Sequence, residues 1–96
     1  MPKPTDPAFY DRADAHIHLS NRQAPEVGTG PASASMLYGT ARFNAWVSAL
    51  DFRSGAEMAA RREDILAYFT EQYRRMLEDN LDDYIANFER HMAPRH

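Results

Sequence analysis

Between Ala32 and Leu50 the chain carries a single charged residue, Arg42. A helix on the surface of a soluble protein keeps one polar, charged face in water, so a stretch this poor in charge must be covered on two sides. Met36, Phe43, Val47 and Leu50 recur at helical spacing and share one face, flanked by Trp46. Ala41, Ala45, Ser48 and Ala49 make the other side small, which lets a neighbouring helix approach closely. Alanine is abundant and strict alternation is missing, so the stretch reads as helix and not strand. The spacing predicts a central helix over about residues 32–53.

Two further helices flank it. Asp6-Pro7 is a start signal, a capping acceptor followed by a proline whose missing N–H costs nothing in the first turn. Tyr10, Ala13, Ile17, Ser20 and Ala24 then fall on one face, with Phe9 and His16 at its edge, which predicts a first helix over 6–24. Pro25 and Gly28 stop it, and Ala24 to Pro31 reads as the clearest loop in the chain, with Thr29 or Ser33 capping the central helix. Ser54-Gly55-Ala56-Glu57 fits a capping box, in which serine accepts from the third helical N–H and glutamate reaches back. Met58, Ile65, Leu66, Phe69, Tyr73, Met76 and Leu77 form the stripe of a third helix, predicted over about 55–92. Glu57/Arg61 and Glu71/Arg75 stand four apart in the favourable order.

The third stripe does not stay straight. At ~100° per residue, the positions Leu81, Tyr84, Ile85, Phe88 and Met92 centre about 90° away from the stripe that ends at Leu77. Asn80 stands where that first stripe wants an apolar residue, and Asn80 with Asp83 resembles a new helix start. The helix is therefore expected to bend or break near Asn80. An unbroken helix from Gly55 to Met92 would run ~57 Å against ~30 Å for each of the others, and its end would overhang. Either the tail folds back on the first helix or a second subunit covers Leu81, Tyr84, Ile85 and Phe88. The expectation is a homodimer, or a complex with another protein, built on those four residues. The fold class expected is all-α: three helices in one domain, 1–96, with loose ends at 1–5 and 93–96.

Composition narrows the partners. At 96 residues the length suits one domain, and the core of a domain this short is marginal without association. A net charge of −3 is the wrong sign for nucleic acid and for an anionic membrane surface. There is no cysteine, which removes disulfides, thiolate catalysis and cysteine zinc sites. The first residues hold no apolar leader, and no run reaches the ~18 apolar residues that a membrane span needs, so a cytoplasmic protein is expected.

Candidate chemistry is sparse. Asp14-Ala15-His16-Ile17-His18 resembles the D-x-H-x-H run that opens the metal site of amidohydrolase barrels, but those need roughly 250 residues. On a helix, positions two apart point ~200° from each other and cannot share a metal. No glutamate stands three before any of the four histidines, as di-iron bundles require. His91 and His96 read as a terminal tail, and Glu78, Asp79, Asp82 and Asp83 as a solvated face. Gly28-Thr29-Gly30 lacks the lysine of a phosphate loop, and no serine sits in a nucleophile elbow. Tyr10, Tyr38, Tyr73, Tyr84 and Trp46 read as core aromatics. No cofactor is expected.

The runs Phe9–Ala15, Ala34–Ala45 and Tyr68–Ile85 resemble a family of short bacterial proteins known only as domain of unknown function 3144. The resemblance spans nearly the whole chain and implies a compact helical protein, with no activity or functional residue to carry over. The expected function is a non-enzymatic module that binds itself or another protein. The alternative is a small-ligand or metal-binding protein using His16, Arg42 and Asn44 in a cleft between helices, the last two being polar groups in a charge-poor helix.

Overall fold

The computed structural model describes residues 6–93. It holds five helices: α1 (Phe9–Val27), α2 (Thr29–Ala49), α3 (Gly55–Ala59), α4 (Arg62–Ala86) and α5 (Phe88–His91). No strand occurs among the described residues. Residues 1–5 and 94–96, most of the expected loose ends, lie outside them. The chain divides between Arg53 and Ser54 into two compact units. Among the described residues, no helix is long and apolar enough to cross a membrane.

In the first unit, Asp6 does not take the N-cap position expected of it, which falls at Ala8 with no side-chain cap. Its carboxylate accepts the Ala8 amide at 2.9 Å and both Arg12 guanidinium nitrogens at 3.1 and 2.8 Å. The Arg12 hydrogen bond is the main cause holding the Asp6 carboxyl below its ordinary value. The regular helix opens three residues later, at Phe9.

The expected loop from Ala24 to Pro31 shrinks to one residue, Gly28. Pro25 lies in the last turn of α1, where it removes the hydrogen bond to the Asn21 carbonyl, and the helix ends two residues later. Pro31 lies in the first turn of α2, where amides have no helical partner in any case. Gly28 supplies the corner between them. Its N–H closes α1 on the Ala24 carbonyl at 2.7 Å, and its carbonyl accepts the Ala32 amide at 3.1 Å. Its φ of 96° and ψ of 155° belong to a region that only glycine enters without strain. Two prolines and two glycines thus make a corner and not a loop.

Small side chains line the turn. Ala32 is 3% exposed and is the only fully buried residue among those described. Ala13, Ser20 and Ala24 on α1 and Met36, Asn44 and Ser48 on α2 are half-buried. Ser35, Thr40 and Ser48 each donate a hydroxyl to the carbonyl four residues back, which satisfies them in a helix with little charge. The bulky face of α2 is another matter: Phe43, Trp46, Val47 and Leu50 all stand exposed. The helix also closes at Ala49 and not near 53. The amides of Leu50, Asp51 and Phe52 turn back to carbonyls three residues earlier.

In the second unit, the Ser54 hydroxyl accepts the Glu57 amide at 3.1 Å, so the serine half of the capping box forms as its spacing predicts. The single helix expected over 55–92 is divided twice. It is interrupted at Ala60–Arg61 and again at Asn87, whose φ of −122° and ψ of 32° leave the helical region. It does not break at Asn80. There the side-chain amide donates to the Met76 carbonyl at 2.8 Å, bonding within the helix where a new start was expected. Glu71 pairs with Arg75 at 2.9 Å as its spacing predicts, while Arg61 pairs with Asp64 at 3.0 Å and Arg74 with Glu78 at 3.1 Å. These pairs are exposed and each contributes little. Met58, Ile65, Phe69 and Gln72 are half-buried.

Candidate interaction surfaces

The residues expected to bind a partner end up together on one stretch. Leu81, Tyr84 and Ile85 occupy the last turns of α4 and Phe88 opens α5. All four are exposed, Ile85 at 74%. Asp82 borders this apolar strip, one helical position beyond Leu81, and forms no ion pair among the described residues.

A polar brace holds the strip's end. Asn87 donates its side-chain amide to the Asp83 carbonyl at 3.2 Å and to Asp83 Oδ1 at 2.8 Å. His91 Nε2 lies 2.9 Å from Asp83 Oδ2, and its ring stacks on Tyr84 at 4.1 Å. Asp83, Asn87 and His91 are spaced four apart, the i, i+4, i+8 pattern that brings side chains onto one helix face. That spacing is present in the sequence, and it outweighs the terminal position that makes His91 resemble part of a tail. The Asn87 hydrogen bond first, then the His91 hydrogen bond and the charges of His91 and Arg90, hold the Asp83 carboxyl below its ordinary value of 3.8.

A group whose folded value is lowered stabilises the fold above its unfolded value, and that stabilisation disappears as pH falls through the folded value. The brace is therefore expected to persist from neutral pH down to about 4 and to open below 3.8. The ring-current shift that Tyr84 imposes on His91, followed by NMR during an acid titration, reads this directly. A shift that survives unchanged through that range would refute the brace. Asp83→Asn should abolish the acid step.

A second surface lies on α2. Tyr38, Arg42 and Trp46 are spaced four apart and, with Gly39, Phe43 and Ala45, line a shallow open depression between side chains of this one helix, the α2 groove. The Phe43 and Trp46 rings lie 5.7 Å apart. Tyr38, Phe43 and Trp46 are all more than half exposed. They are not the core aromatics that the sequence suggests, and neither are Tyr10, Tyr73 and Tyr84, which are exposed as well. Arg42 pairs with no carboxylate among the described residues. The clue available in the sequence is the isolation of this one cation between two aromatics at helical spacing.

The polar residues of the alternative ligand site differ in exposure. His16 is exposed on α1, Arg42 is exposed in the α2 groove, and Asn44 is half-buried. Arg42 and Asn44 are two apart on a regular helix, hence ~200° from each other, and one ligand cannot take both from one side. No hydrogen bond or ion pair links the three among the described residues. Nor, among those residues, do three histidine or carboxylate side chains converge as a metal ion requires. His96 lies outside the described residues.

The family described as a protein of unknown function (DUF3144) matches residues 9–85. The chain belongs to this family. The NMR structure of a protein from Shewanella sp. is 35% identical to it, covers 98% of this chain and 100% of its own, and superposes with a TM-score of 0.77. No curated protein matches. In this DUF3144 chain the matched span takes in the α2 groove and the strip through Ile85, and it stops before α5 and its His91 brace.

Proposed function

We propose that the chain is a self-association module without catalytic activity, whose working form is a homodimer. The supporting observation is the balance of burial. Among the described residues one, Ala32, is fully buried, while twenty-one large apolar side chains stand exposed. Exposed apolar residues are ordinary when scattered, but a folded chain needs a core somewhere.

The strip of Leu81, Tyr84, Ile85 and Phe88 is the surface offered.

Multi-angle light scattering at micromolar concentration should give twice 11.0 kDa or more, with a melting temperature that rises with protein concentration. A folded species of 11.0 kDa at every concentration would sink the proposal.

A further inference from the structure

We infer that the α2 groove of one copy receives the α4 end of the other, so that Tyr38, Arg42 and Trp46 pack against Leu81, Tyr84 and Ile85 of a second copy with Asp82 beside Arg42. This rests on the self-association just proposed and specifies which surfaces meet.

Charge selects the pairing. The groove's only charged residue is Arg42, and it lacks a carboxylate among the described residues. The strip ends in a run of acids, Glu78, Asp79, Asp82 and Asp83. Asp83 is held by Asn87 and His91, and Glu78 by Arg74. Asp79 and Asp82 are left without an ion pair among the described residues, and of the two Asp82 is the one at the border of the strip. Docking groove to groove would bring two Arg42 guanidiniums together, and docking strip to strip would leave Arg42 without a carboxylate. Like charges juxtaposed at an interface disfavour the first arrangement. Docking groove to strip matches signs.

Symmetry selects the occupant. Both complementary surfaces are on the same chain, so a second copy offers each surface the partner it lacks. A foreign partner would satisfy one surface and leave the other exposed. Each half of the contact joins aromatic groups to aliphatic ones around an ion pair, the composition typical of an interface centre.

The test is a charge exchange. Arg42→Glu and Asp82→Arg are made separately. Each variant, by itself, confronts like charges in both halves of the dimer, and its dissociation constant should rise tenfold or more. Mixed in equal amounts, the two variants regain an attractive pair in both halves, and the association should recover to near the wild-type value. Filtered NOE spectra of a dimer mixed from labelled and unlabelled chains should also connect the Trp46 indole to Ile85 methyls across copies.

An Asp82→Arg chain that dimerises like wild type would overturn the pairing, because groove-to-groove docking does not involve Asp82. A mixture that fails to recover would overturn it as well. In both cases a dimeric wild type leaves self-association standing, whereas a monomeric wild type removes both.

Discussion

Gly28→Ala should lower the melting temperature by about 10 °C, the largest effect expected of any single methyl group in the first unit. A Cβ at Gly28 would meet Pro31 Cδ at 3.5 Å, an ordinary contact, so no clash is involved. The cost is in the backbone. Gly28 sits at φ 96° and ψ 155°, where residues with a side chain are strained by about 1–3 kcal/mol. In a chain of this size each kcal/mol moves the midpoint by about 4–8 °C. Relaxing to negative φ would turn α2 away from α1 and uncover Ala32. Gly30→Ala is the control. It stands inside α2 with nothing within 4 Å of the new Cβ, and it should be neutral or slightly stabilising. Thermal melts followed by circular dichroism at one fixed protein concentration would show the contrast. Equal midpoints for the two variants would refute the corner's role.

Helices are plain in the sequence, and their ends only in part. Ser54 is legible as a start because it offers one short oxygen to a nearby amide, a local event that needs no tertiary context, whereas the Asp6 carboxylate binds the Ala8 amide ahead of the helix. The corner at Gly28 is hidden because proline and glycine resemble breakers wherever they stand. Their effect depends on position: Pro31 in a first turn has no helical hydrogen bond to lose, while Pro25 stands inside α1 two residues before its end. Asn80 misleads for a related reason. An Asn three residues before an Asp resembles a cap, yet inside an intact helix the same amide bonds the carbonyl four residues back. The true interruption, at Asn87, falls where the Asp83–Asn87–His91 brace takes over the polar groups.

Surfaces are legible as apolar stripes but not as covered or uncovered. Periodicity says which side chains share a face, and burial depends on what that face meets. Leu81, Tyr84, Ile85 and Phe88 can be singled out because they leave the direction of the preceding stripe. Tyr38, Phe43 and Trp46 cannot, because nothing in their spacing separates an interior face from an exterior one. The charge-poor stretch from Ala32 to Leu50 demands cover on two sides. Ala32 at its start is covered and Ser48 half so, while Ala41, Ala45 and Ala49 on the small side and Phe43, Trp46 and Leu50 on the bulky side remain exposed.

Ile85→Asp should raise the dissociation constant of the dimer at least 30-fold while leaving helix content intact when the chains are concentrated enough to pair. Ile85 is the most exposed large apolar residue among those described. Were it simply solvated, replacing it with aspartate would change stability by no more than about 0.5 kcal/mol, since water already surrounds the site. At the centre of an interface the same change removes an aliphatic anchor and buries a charge in its place. Anchors of that kind typically account for about 2 kcal/mol or more, which corresponds to about a 30-fold change in affinity. The position also sits among Asp82, Asp83 and Glu89, so a new carboxylate adds repulsion where acids are already crowded. His18→Asp, on the exposed side of α1, is the matched control and should leave association unchanged. Sedimentation equilibrium of the two variants beside wild type separates the readings. A dissociation constant for Ile85→Asp within threefold of wild type would mean that this strip faces water in the assembled protein, and the covering surface would have to be sought on α2 alone.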